Sequence, residues 1–142
     1  MTKQYCGFFQ LGSEWLEVYL DSNTDAAYGW MPDSKHRNGM LSIGTAASDH
    51  STPWHRGVAP ETASETEIIS RIAHEVFEYT LCRSGLRYDP CDNWRFNIPD
   101  TVFIMTHHQM SEVIARAAPC TQAIWQYYCA TNPHSKKVEK KR

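Results

Sequence analysis

The sequence has no run of about 18 apolar residues, so no membrane-spanning helix is expected. It has no excess of either charge: 14 Lys and Arg stand against 16 Asp and Glu. That balance provides no broad field for nucleic acid or an anionic membrane surface. Cysteine is present but without pattern. Cys6, Cys82, Cys91, Cys120 and Cys129 are odd in number and contain no C-x-x-C pair, which argues against both a disulfide framework and a zinc ribbon. Gly7, Gly12 and Gly29 do not form a phosphate-binding loop, and Ser70 and Ser111 lack the G-x-S-x-G context of serine hydrolases. The opening residues Met1-Thr2-Lys3-Gln4-Tyr5-Cys6-Gly7 contain no apolar signal-peptide region. The expected setting is the reducing cytoplasm.

What is present fits one domain. At 142 residues the chain can bury a core without disulfides. The expected domain is 1–132. Residues 133–142 form a basic tail, with Lys136-Lys137-Val138-Glu139-Lys140-Lys141-Arg142 at its end, and such a charge run reads as solvated and disordered. Trp15–Leu20 alternates with period two, placing Leu16, Val18 and Leu20 on one face of a strand. Asp21–Asp25 reads as a turn. Ala26–Met31 returns as a second strand, and Gly39–Gly44, with Leu41 and Ile43 on one side, is a third. Residues 45–61 make a long loop carrying His50, Trp54, His55 and Arg56. Loops of that length are often functional, and this one reads as a variable surface loop or the wall of a cleft.

Thr62 or Ser64 can cap a long helix through the S/T-x-x-E pattern. Ile69, Ile72, Ala73, Val76 and Thr80 supply its apolar stripe, and Ser84-Gly85 ends it. Thr101–Met105 is a strand or the start of a helix. Thr106 or Ser111 caps a second helix with Met110, Val113, Ile114 and Ala117 inward. Pro119 is expected to break that helix and open a third, on which Ile124, Trp125 and Tyr128 share a face. The predicted fold is α+β: a short antiparallel sheet packed against a long helix and two C-terminal helices.

The chemistry sits in His74-Glu75-Val76-Phe77-Glu78. His74 and Glu78, at i and i+4, share a helix face and can chelate one ion. In the H-E-x-x-H pattern the intervening glutamate is not a ligand but takes a proton from metal-bound water, which is the role open to Glu75. Glu78 replaces the second histidine and can bind zinc through oxygen. His107 and His108 are candidates for the third ligand. His107 falls three before Met110 and seven before Ile114, on the expected inward face, and His108 falls with polar neighbours, so His107 is preferred. Cys82 reads as a small core residue.

The run Ala73–Glu78 after short strands, followed by Phe103-Ile104-Met105-Thr106-His107-His108-Gln109-Met110, resembles the small zincin-like metalloproteins of bacteriophages and prophages over roughly residues 15 to 128. The resemblance implies a minimal zincin-like domain with a Zn2+ ion held by His74, Glu78 and His107, and Glu75 as base. It implies a metallopeptidase or related hydrolase acting on a peptide or protein in a bacterial host's cytoplasm. The alternative it leaves is a catalytically inactive accessory protein that engages a host protein partner. Neither reading involves a membrane or nucleic acid.

Overall fold

The structure is a computed structural model that describes residues 3–48, 61–88, 102–103 and 105–132. Its elements in chain order are β1 (Lys3–Leu11), β2 (Glu14–Asp21), β3 (Ala27–Trp30), β4 (Gly39–Gly44), α1 (Glu65–Arg83), β5 (Arg87–Tyr88), β6 (Val102–Phe103) and α2 (His107–Thr131). The class is α+β, as expected. Two parts of the expected architecture are corrected. The sheet is mixed rather than antiparallel, with order β1-β2-β4-β3 and β2 parallel to β4. Among the described residues α2 runs unbroken through Pro119, so there are two helices and not three.

Burial explains the first correction. Leu41 and Ile43 of β4 are fully buried on one side of the sheet, and Ser42 is fully buried on the other. A strand buried on both faces belongs inside a sheet. β4 therefore inserts between β2 and β3 instead of extending a meander, and the more exposed β3 becomes an edge. The second correction is a contest of magnitudes. A proline inside a helix costs about 3 kcal/mol. The stripe Val113, Ala117, Cys120, Ile124 and Tyr128 stays buried on both sides of Pro119. Burying each large member contributes about 1.5–3 kcal/mol, so packing outweighs the break.

β1 pairs with β2 from Lys3↔Asp21 to Leu11↔Glu14, with a bulge between Tyr5 and Gly7. Gly7 has φ 109°, a conformation that side chains resist. The bulge resets the alternation and hides this strand from a period-two search.

Leu16, Val18, Leu20, Leu41 and Ile43 share one face of the sheet and form the core with Ile68, Ile72 and Val76 of α1 and Ala117, Cys120 and Ile124 of α2. α1 packs over β3 and β4, and α2 over β1. Arg83 at the end of α1 donates from Nε to Glu14 Oε1 at 2.8 Å. Ser64, not Thr62, caps α1: its hydroxyl accepts from the Glu67 N–H at 3.2 Å, while Glu67 accepts from the Ser64 N–H at 2.9 Å. Gly85 follows the helix with φ 69°.

The stem of the long loop is pinned. Arg71 donates to the carbonyls of Gly44 and Ala46 at 2.8 and 2.7 Å and to Ser48 Oγ at 2.7 Å. His50, Trp54, His55 and Arg56 lie outside the described residues, as do Cys91, Trp94 and the basic tail. The apolar run at 101–105 provides β6, which pairs with β5. No described helix is long and apolar enough to cross a membrane.

Candidate metal site

α1 buries Ile68, Ile72, Glu75, Val76, Tyr79, Thr80 and Leu81, while Ile69 is exposed. The buried stripe shares Ile72, Val76 and Thr80 with the expected one but swaps Ile69 and Ala73 for Ile68, Glu75 and Tyr79, a rotation of roughly 55° at about 100° per residue. The rotation carries Glu75 inward. Its side chain is 11% exposed, against 37% for Glu78 and 68% for His74. The site therefore spans the boundary of the helix, with an imidazole in solvent, a carboxylate at the margin and a second carboxylate underneath.

His74 Nε2 lies 3.1 Å from Glu78 Oε2 and 3.9 Å from Glu75 Oε1. The ligand atoms of the three residues fall within 4.8 Å of one another. Among the described residues this is the one such group of His, Cys, Asp or Glu side chains that could hold a metal ion. The imidazole of His74 and the carboxylate of Glu78 are donors that suit zinc, and Glu75 lies close enough to serve either as a further ligand or as a base.

The carboxyl of Glu75 is held above its ordinary pKa. Desolvation by burial is the main cause, the nearby His74 opposes it, and the negative charge of Glu78 adds to it. A carboxylate moved toward neutrality is a better proton acceptor than an exposed one.

One turn after Glu75, Tyr79 packs over Gly29 and Gly39 at the β3–β4 end of the sheet; a β-carbon at Gly39 would collide with the phenol oxygen. The Tyr79 hydroxyl is buried with no hydrogen-bond partner among the described residues, and burial pushes its pKa up to about 12. The inward placement of Glu75 and Tyr79 escapes a stripe built from apolar residues alone. The spacing 68-72-75-79 contains it, once the polar residues are allowed to join.

The histidines of α2 do not join this group. Thr106 caps that helix, accepting from the Gln109 N–H at 3.1 Å while its own N–H donates to Gln109 Oε1 at 2.8 Å. His107 follows as an exposed first residue. His108 is also exposed, with Nε2 3.3 Å from Glu112 Oε1. Met110 and Ile114 are exposed too, because the inward stripe runs through Val113 and Ala117. The helix phase that favoured His107 over His108 does not hold.

Cys82 is half-buried near the end of α1. Comparison with protein-family models, with curated proteins and with solved structures finds no match to this chain.

Proposed function

We propose that α1 carries a zinc site built on His74 and Glu78, and that the protein is a minimal zincin-like peptide hydrolase in which Glu75 accepts the proton of the attacking water. The observation that carries this reading is the convergence of His74, Glu75 and Glu78 within 4.8 Å, with the carboxyl of Glu75 raised by burial beneath the other two.

A zinc ion with an open position lowers the pKa of its water to about 7 and polarises a carbonyl. His74 and Glu78 would hold it on the solvent side of α1. Glu75, fixed by its burial, would present its carboxylate to that water and then pass the proton to the leaving amine. β3 is an edge strand of the sheet beneath α1. Its outer backbone groups, unpaired among the described residues, suit an extended peptide laid alongside.

The test is native mass spectrometry of tag-free protein grown with added zinc. One zinc per chain is expected in the wild type and none in His74→Ala; a metal-free wild type overturns the reading. Glu75→Gln separates two roles for that carboxylate. Zinc retained with most peptide hydrolysis lost, about 10²–10⁴-fold, assigns a base. Zinc lost assigns a ligand. His107→Ala, expected from the sequence to cost orders of magnitude in affinity, is predicted from its position to change it little.

The exposed aromatic side chains of the sheet favour a second reading, an accessory protein that engages a partner without turnover. Zinc in both wild type and Glu75→Gln, with hydrolysis by neither, selects it.

A further inference from the structure

The sheet face opposite the helices is covered by no described element. β-Strand register places Lys3, Tyr5, Phe8, Tyr19, Tyr28 and Trp30 on it. Large apolar side chains left in water are informative when they cluster, and here they are organised around a cation. The Lys3 ammonium stands over three rings, 5.1 Å from the centroid of Tyr19, 5.7 Å from Tyr28 and 5.8 Å from Trp30. Tyr28 and Trp30 meet edge to face at 4.5 Å, so they form two walls at a steep angle. Between them and Tyr19 runs β4, where Ser42 is the ladder partner of both tyrosines. Ser42 is fully buried, and its hydroxyl has no hydrogen-bond partner among the described residues.

Charge narrows the occupant. Glu17 shares this face and accepts a hydrogen bond from the Tyr19 hydroxyl at 2.7 Å. Asp21, on the same face, is the cross-strand partner of Lys3. Two carboxylates against one ammonium disfavour a polyanion and favour a cation. Ring faces attract cations through their quadrupoles, and weakly hydrated alkylammonium groups lose least on leaving water.

We propose that Tyr19, Tyr28 and Trp30 form an aromatic cage for an alkylammonium group, quaternary or N-methylated, which Lys3 fills in the free protein. The lysine ammonium is strongly hydrated and is an occupant that can be displaced. The buried Ser42 hydroxyl lies at the floor, where the N-methyl groups that carry the ligand's positive charge would settle. This site is separate from the metal group on α1 and stands or falls without it.

The experiment is a titration of the full-length, 15N-labelled protein with tetramethylammonium chloride, using sodium chloride at matched ionic strength as control. The readout is the Trp30 indole N–H resonance, assigned by its loss in Trp30→Leu. A saturable shift is expected in the wild type. Binding about tenfold tighter is expected in Lys3→Ala, because a competing internal occupant scales the apparent affinity by the fraction of open cage. Tyr19→Leu should weaken binding by a similar factor while the remaining amide spectrum stays folded.

No saturable shift in Lys3→Ala overturns the proposal, and so does an equal response to sodium chloride. Self-association through Trp30 that is indifferent to tetramethylammonium also overturns it, since the face then serves a second copy of the chain. Two further probes separate the sources of the ligand. A trimethyllysine peptide that binds more tightly than choline assigns the cage to a modified protein, and the reverse order assigns it to a small free ammonium ion.

Discussion

Alternate residues of the same strands meet two different environments. Toward the helices, Leu16, Val18, Leu41 and Ile43 are fully buried; on the far side Phe8 and Trp15 are 50% and 52% exposed. The first set is aliphatic and stabilises in proportion to the area removed from water, about 25 cal/mol per Å². The second is aromatic: Lys3 stands over its rings, Glu17 accepts a hydrogen bond from Tyr19, and Asp21 shares the face by register. Aromatic rings have directional faces as well as area, which suits recognition more than close packing. The contrast separates what specifies the fold from what remains available to a ligand.

The sharpest way to break that contrast is to truncate one residue on each side. Ile43→Ala removes a fully buried side chain between β2 and β3, against α1. It should lose about 2–5 kcal/mol, through lost transfer energy and an unfilled cavity. Phe8→Ala on the open side should stay within about 0.5 kcal/mol, as for most surface positions. Urea denaturation of both variants measures the difference, and equal losses would mean that the open face is structural.

The same contrast shows what could be read beforehand. The buried faces of β2 and β4 were legible because Leu16-Val18-Leu20 and Leu41-Ile43 alternate without interruption. β1 was hidden by the bulge at Gly7. The insertion of β4 between β2 and β3 was also hidden, because chain order favours neighbours and only burial on both faces reveals the exception. On α1, Ile68 and Ile69 are both apolar, so an apolar stripe can be drawn through either; tertiary packing chooses Ile68. The i, i+4 pairing of His74 and Glu78 followed from helix geometry alone. The burial of Glu75 did not, since carboxylates are rarely placed inside by default. In α2, Met110 and Ile114 suggested a face that the longer stripe through Val113, Ala117 and Cys120 does not share.

A smaller effect sharpens the comparison at one residue. Gly39 faces the helices, and any β-carbon there would meet the Tyr79 phenol. Gly39→Ala should destabilise by about 1–3 kcal/mol through overpacking. If the clash is the cause, Tyr79→Leu should suppress the penalty: the double variant will be more stable than the sum of the two single changes predicts. Simple additivity in a double-mutant cycle would place the strain in the strand backbone instead.

The smallest predicted effect concerns the one carboxyl on the buried face of α1. In metal-free protein Glu75→Gln removes a negative charge that burial disfavours, while the shape of the side chain is kept. The sign follows from linkage. Because the folded-state pKa of Glu75 is raised, the folded chain binds this proton more tightly than the unfolded chain does. The resulting stability is fully present below the unfolded pKa of about 4.3 and is lost as pH rises through the folded value. At pH 4 wild type and Glu75→Gln should therefore unfold at similar temperatures. At pH 7 the variant should be more stable by about 1 kcal/mol, the scale of one poorly paired buried polar group. Carboxylates that do not interact with Glu75 are common to both proteins and cancel in the difference, which leaves Glu75 and its coupling to His74 and Glu78. Thermal unfolding in the presence of a chelator reads it directly. If the proposed site holds zinc, added zinc should reverse the order at pH 7, because the ion would favour the charged form of Glu75 and would bind the folded chain in preference to the unfolded one. A gap between the two proteins that is the same at both pH values would show that the carboxyl of Glu75 is not held above its ordinary range, and would remove it as the proton acceptor of this site.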